Sequence, residues 1–251
     1  RIEDKVKIDL FYQPRIRYPT NIILMFTLLK YIRKFNPDII HFQSGYFWLF
    51  IILPFLKKYQ KVVTIHDIKP HPGEEKLRTE FSTRLIIKYT NKIVVHGNQL
   101  RTDFLKYYKF EKNKVFVVPH GNFKMYEQYF NKSKKEENTI LFFGRIWEYK
   151  GLKYLIEAEP IIRKKIRNFK IVIAGEGENF GRYLILIKNK SNFTIYNQFI
   201  EEKLMFKLFN EASIVILPYI EASQSGVIPL AYQFRKPVIA TRVGALPDAV
   251  K

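Results

Sequence analysis

The chain has no cysteine among its 251 residues. Disulfides, thiolate zinc sites and cysteine nucleophiles are therefore excluded, and the absence mildly favours a reducing compartment. Long apolar runs are missing too. The longest, Tyr46 to Leu56, is eleven residues and holds Pro54, whereas a membrane span needs roughly 20 residues. It reads as a buried helix. Arg1 to Asp9 alternates charged and apolar residues without the apolar stretch of a secretory leader. No His, Asp and Glu cluster at metal spacing occurs, nor any Asp-x-Asp pair. Gly-x-Ser-x-Gly and the Walker lysine loop are also lacking, which argues against hydrolase and nucleotide-triphosphatase chemistry.

Acidic residues are scarce, with 23 Asp and Glu against 43 Lys and Arg and a formal charge of +20. The imbalance is uneven. Residues 1–138 carry 26 basic and 13 acidic side chains, residues 139–251 carry 17 and 10. A basic first half suits an anionic partner such as a membrane surface rich in acidic lipid. It equally suits a genome whose codons favour Lys, Ile, Asn and Tyr. Nucleic acid is not expected as a partner, because no reader motif accompanies the charge.

What is present is abundant apolar material, 47% hydrophobic and 16% aromatic residues, enough for a substantial core. Short β-branched runs bounded by polar residues read as buried parallel strands: Asp38–Phe42, Lys61–Ile65, Lys92–Val95 and Lys114–Val118, then Thr139–Phe143, Phe169–Ala174, Phe193–Tyr196, Ser213–Leu217 and Pro237–Thr241. Helical stretches separate them: Asn21–Phe35, Tyr46–Tyr59, Leu77–Thr90, Asn98–Tyr107, Leu152–Ile166, Glu201–Asn210 and Gly226–Phe234. Strand alternating with helix predicts an α/β chain with parallel sheets. Asn131–Asn138 is polar, charged and aperiodic, and serves as the linker between two Rossmann-like domains, residues 1–135 and 136–251. A ligand cleft between them is expected at the carboxyl ends of the strands. The first half opens without an initial apolar strand, and the chain stops just after Val243–Asp248, so it reads as a piece of a longer protein.

The most informative stretch is Phe143-Gly144-Arg145-Ile146-Trp147-Glu148-Tyr149-Lys150-Gly151. A strand ends in glycine, two cations follow, and a second glycine opens a helix. Arginine grips two phosphate oxygens and lysine adds a point charge, so Arg145 and Lys150 fit a diphosphate; both are also unremarkable as solvated residues after a strand. In Glu221-Ala222-Ser223-Gln224-Ser225-Gly226-Val227, the amides of Ser225 and Gly226 sit where a helix begins and can meet phosphate or sugar oxygen. Glu221 can accept bonds from sugar hydroxyls. The alternative is a helix cap with a solvated glutamate. His66 closes a first-half strand, where it can bind a sugar hydroxyl, while His120 has weaker claims. Gly175-Glu176-Gly177 either approaches a nucleoside or only turns the chain, and Phe199 and Ile200 can offer a face to a base.

Taken together, Phe143-Gly144-Arg145 with Lys150-Gly151, Ile173-Ala174-Gly175-Glu176-Gly177, and Lys236–Thr241 with Val243-Gly244 resemble the family 4 ("group 1") retaining glycosyltransferases of GT-B fold. The resemblance runs from about Asp38 to Lys251. It implies a UDP- or GDP-sugar donor in the second domain and a glycan or lipid-linked acceptor in the first. Arg145 and Lys150 would neutralise the diphosphate, and Glu221 would hold donor sugar hydroxyls. The Ser225, Gly226 and Val227 amides would support phosphate, with Gly144, Gly175, Glu176, Phe199 and Ile200 completing the donor site. His66 would face the transferred sugar. No obligatory metal or other cofactor is implied, and a cytoplasmic chain, peripheral at the inner membrane face, is expected. One departure stands out: Pro229 occupies the place of the family's second glutamate, the usual ribose ligand. Asp248 stands where a glutamate is common. A catalytically silent nucleotide-sugar-binding module is the alternative reading.

Overall fold

The computed structural model describes residues 6–68, 76–131 and 138–250. The chain is an α/β protein built on two parallel sheets. It divides into two compact units, residues 1–95 with 103–116, and residues 96–102 with 117–251. Most of the polar segment expected as a linker, residues 132–137, lies outside the described residues.

The first sheet runs β1 (Ile39–Phe42), β2 (Gln60–Thr64), β3 (Lys92–Val95) and β4 (Val115–Val117), in that spatial order. Parallel neighbours need a crossover each time. Helix α2 (Lys76–Tyr89) supplies it between β2 and β3, and α3 (Asn98–Tyr108) between β3 and β4; α1 (Asn21–Phe35) precedes the sheet. Val63, Ile93 and Val95 are fully buried, and Met25 and Leu29 of α1, one turn apart, are buried as well.

The crossover from β1 to β2 corrects the expected helix over Tyr46–Tyr59. It forms two short 3₁₀ pieces, Phe47–Ile51 and Leu53–Leu56. Pro54 has no N–H to donate, and its ring would strike the carbonyl one turn back in a continuous α-helix. The i→i−3 bonds Ile52 N–H to Leu49 O (3.0 Å) and Phe55 N–H to Ile52 O (2.9 Å) replace the α pattern. Burial of the run is as expected: Leu49, Ile52, Leu53 and Leu56 point inward. No helix among the described residues is long and apolar enough to cross a membrane.

The second sheet has the order β7-β6-β5-β8-β9, from β5 (Thr139–Phe143), β6 (Lys170–Ala174), β7 (Phe193–Tyr196), β8 (Ile214–Leu217) and β9 (Val238–Ala240). Alternate residues of these strands face opposite layers. Phe142, Ile171 and Ile173 pack with α4 (Leu152–Lys165) and the short α5 (Gly181–Leu184). Leu141, Val172, Val215 and Leu217 pack with α6 (Glu202–Glu211) and α7 (Val227–Gln233). In α6 the buried Met205, Leu208 and Phe209 fall at i, i+3 and i+4, as an amphipathic helix requires. A last turn, α8 (Leu246–Ala249), follows β9.

This order fixes where chemistry can happen. From β5 the chain steps outward through β6 to β7, then returns to β8 on the other side of β5 and continues to β9. The connections after β5 and β8 therefore part in opposite directions and leave a crevice beyond their carboxyl ends. Open α/β sheets bind ligands at such a switch point. Arg145 and Lys150 follow β5, and Glu221 and Ser225 follow β8.

Candidate active site

The loop after β5 is held in place by its backbone. Gly144 N–H bonds Ala174 O (2.9 Å), and Ile146 N–H bonds Glu176 O (2.8 Å). Ile146 is fully buried and its neighbour Arg145 is exposed, because successive side chains of an extended segment point opposite ways. Gly175 explains part of the glycine-rich run after β6. A Cβ there would lie 1.8 Å from the Gly144 carbonyl oxygen, so only glycine lets the two loops touch. Gly175 is buried under Gly144, and Glu176 is exposed. Glu178, which the sequence pattern did not single out, is held by the Tyr183 hydroxyl and by Arg182 at 3.2 Å.

The loops after β5 and β8 are tied together. Ile220 N–H donates to Tyr149 O (2.8 Å) and Glu221 N–H to the same oxygen (3.4 Å), which sets the Lys150 and Glu221 backbones side by side. The Lys150 Nζ lies 3.8 Å from the centre of the Tyr219 ring and 5.1 Å from that of Tyr149. Tyr219 is 3% exposed. Its hydroxyl lies 3.2 Å from Ser225 Oγ, and that Oγ accepts the Val227 N–H at 3.3 Å, in the first turn of α7. Burial pushes the Tyr219 phenol up to about 12, so it stays neutral across the physiological range. Thr241 Oγ1 donates to Tyr219 O at 2.6 Å and braces the loop from β9.

The remaining expected residues are placed as follows. Gly226 is the residue before α7, and the Val227 side chain stands 3.7 Å from where a Cβ on Gly144 would be. Glu221 is exposed at the rim. Phe199, after β7, is 71% exposed, while Ile200 packs against the core. His66 belongs to the first unit, at the carboxyl end of β2, in a hollow of about 140 Å³ with Ser44, Thr64, Asp67 and Glu80. His120 places its ring 5.3 Å from that of His96, in a hollow of about 340 Å³ that also holds Gln224, Ser225 and Pro229. Asp248 accepts the Asn98 N–H at 2.6 Å. The sequence pattern did not single out Tyr219. Its signal was an aromatic two residues before Glu221 at the end of a strand, in a site already credited with a lysine.

Comparison with known proteins matches both stretches. Residues 4–121 match the model described as Glycosyltransferase Family 4, and residues 137–251 the one described as Glycosyl transferases group 1. The chain belongs to the family 4, group 1 glycosyltransferases. It is 26% identical over 267 residues to "Uncharacterized glycosyltransferase MJ1059" of Methanocaldococcus jannaschii, covering 95% of this chain and 64% of that protein. The chain spans less than two thirds of the length of the curated relatives it matches, 30%, 64% and 66%. Among solved structures it resembles the catalytic domain of starch synthase IV from Arabidopsis thaliana bound to ADP and acarbose, with TM-score 0.70 and 12% identity, covering 96% of this chain and 64% of that one. It also resembles Anabaena Alr3699/HepE in complex with UDP-glucose, with TM-score 0.67 and 15% identity, covering 93% and 68%. These likenesses establish the GT-B fold of this glycosyltransferase chain.

Proposed function

We propose that this glycosyltransferase moves a sugar from a nucleoside diphosphate sugar to a glycan or lipid-linked acceptor, with retention of anomeric configuration. The observation that carries the reading is the tie between the β5–α4 and β8–α7 loops at the switch point, which sets Lys150 over the Tyr219 ring, whose hydroxyl lies against Ser225 just before α7. Anabaena HepE, of the same fold, has been solved with UDP-glucose, which supports a sugar nucleotide as donor. In the proposed step the bond between the anomeric carbon and the diphosphate oxygen breaks. The acceptor oxygen bonds that carbon on the same face, and its proton passes to the departing phosphate. Arg145 and Lys150 stabilise the charge that accumulates on the diphosphate, Ser225–Val227 amides meet a phosphate oxygen, and Glu221 holds sugar hydroxyls. His66 is assigned to the transferred sugar. The reading requires no metal, since Arg145 and Lys150 would supply the positive charge that the leaving group needs. Pro229 brings no carboxylate, so the ribose is held by other groups.

Calorimetry on the full-length gene product with UDP and GDP tests the donor assignment. One of the two should bind, and Glu221→Ala should lower sugar transfer by at least about tenfold while changing bare nucleotide affinity less than about threefold. Binding without any transfer or hydrolysis of a matched sugar nucleotide would instead identify a silent binding module. Failure to bind either diphosphate would end the reading.

The basic first half supports a peripheral station on a membrane rich in acidic lipid. Exposed Ile22, Ile23 and Phe26 of α1, with Lys30, Arg33 and Lys34 further along that helix, are the groups to test. Vesicles containing anionic lipid should carry the protein upward in flotation, and about 0.5 M salt should release it. Flotation that neither needs acidic lipid nor responds to salt would remove this part of the proposal.

A further inference from the structure

We infer that Tyr219 is a positioning residue of the donor site, its ring aiming the Lys150 ammonium and its hydroxyl setting Ser225 at the start of α7. The inference rests on the reading of Lys150 as a diphosphate ligand and adds a residue that the reading does not use.

Lysine carries its charge on four rotatable bonds, so an unsupported ammonium samples many positions. Here the Nζ sits 3.8 Å from the Tyr219 ring centre, well inside the range where the negative face of an aromatic ring attracts a cation. An aromatic face attracts the ammonium while bringing no formal charge of its own.

The ring is itself fixed. Tyr219 is 3% exposed, and its carbonyl accepts the Thr241 hydroxyl at 2.6 Å. The next amide, of Ile220, donates to Tyr149 O at 2.8 Å. On the preceding side, the Pro218 carbonyl oxygen lies 1.8 Å from the point a Cβ on Gly151 would occupy, so Pro218 and the start of α4 are in backbone contact. Both neighbours of Tyr219 are thereby attached to the loop that bears Lys150.

The hydroxyl has a separate task. A ring that only filled space would need no oxygen, and a buried hydroxyl without a partner is destabilising. Tyr219 pairs its hydroxyl with Ser225 Oγ at 3.2 Å, and Ser225 Oγ takes the Val227 N–H at 3.3 Å. One buried side chain thus links the lysine of the first loop to the phosphate-facing turn of the second.

The test is a double-mutant cycle on the full-length gene product, reading UDP or GDP affinity by calorimetry and transfer by kcat. Tyr219→Phe keeps the ring, so affinity should stay within about threefold, the worth of one lost neutral hydrogen bond or less. Tyr219→Leu removes the ring face and should weaken binding about tenfold. Combined with Lys150→Ala it should add less than about twofold to the loss from Lys150→Ala alone, because the ring acts through the lysine. A series of phenylalanines at position 219 with one to four ring fluorines covers the case in which Tyr219→Leu fails to fold. Their shapes are nearly the same, and affinity should fall stepwise as fluorine drains the ring face. Full additivity in the cycle, or a flat fluorine series, would overturn the inference and leave the donor assignment standing. If Lys150→Ala alone bound nucleotide as tightly as the parent, the donor assignment itself would fall.

Discussion

Arg145→Ala and Lys150→Ala should each lower kcat/KM for sugar transfer by about 10²-fold, the scale expected when a preorganised charge stabiliser is removed. The two residues act at different places. Arg145 is exposed at the rim, where a planar fork can grip two oxygens of an incoming diphosphate. Lys150 is half-buried against Tyr219, with its charge partly withdrawn from water, where each unit of charge counts for more. Arg145→Lys should therefore recover only part of the loss, because an ammonium cannot reproduce the bidentate grip. Lys150→Arg should likewise recover only part of the loss, because a longer side chain with a planar, delocalised charge replaces the compact ammonium. Initial rates on the full-length gene product, with UDP and GDP affinity measured alongside, provide the check. Alanine variants that keep parental rates and parental nucleotide affinity would show that these cations do not face a diphosphate.

Much of the fold was legible because strand and helix carry strong local signals. Every strand expected from a short β-branched run forms, with ends that shift by at most one residue, as in Lys114–Val118 becoming Val115–Val117. The inner strands are the buried ones, as β5 and β6 show. The edge strands β1, β4, β7 and β9, also expected as buried, stay partly exposed because each, among the described residues, lacks a neighbour on one side. The long helices followed from the same logic. The exception is Tyr46–Tyr59, where an apolar spacing fit for a helix met Pro54, and the backbone chose two 3₁₀ turns that bury the same side chains. The short α5 and α8 turns, four residues each, are too brief to show a period.

The candidate site was legible in a different way. Residue type and position at strand ends singled out Arg145, Lys150, Glu221 and Ser225, and the strand order puts both of their loops at the switch point. What the sequence could not display was contact between distant segments. The glycine at 175 looked like a ligand loop or a turn; its shape requirement comes from the Gly144 carbonyl thirty-odd residues earlier. Tyr219 looked like one more aromatic among 16 tyrosines, and only the fold sets it beneath Lys150 and beside Ser225. Pairing of that kind depends on crossovers and carries no periodic trace in the chain.

Gly151→Ala should destabilise the fold more than any surface change near the site. Gly151 has φ +66°, a left-handed conformation that an L side chain adopts at a cost of roughly 1–2 kcal/mol. The steric clash is the greater penalty. The new Cβ would stand 1.8 Å from the Pro218 carbonyl oxygen and 2.8 Å from the carbonyl carbon, both backbone atoms that cannot swing aside as a side chain does. Relief requires the start of α4 to part from the β8–α7 loop, which breaks the Ile220 N–H to Tyr149 O bond and carries Lys150 off the Tyr219 ring. A loss of about 3–5 kcal/mol is expected, in the range reserved for strained backbone and broken packing. For a chain of this size that corresponds to a fall in Tm of about 6–20 °C. Gly121→Ala is the matched control. Its added methyl meets nothing within 4 Å, and its φ is not in the left-handed region, so Tm should hold within about 2 °C. Calorimetric scans of the two variants beside the parent decide the matter: equal midpoints for Gly151→Ala and Gly121→Ala would mean that the two loops do not touch as described, and the tie on which the proposed donor site depends would be lost with it.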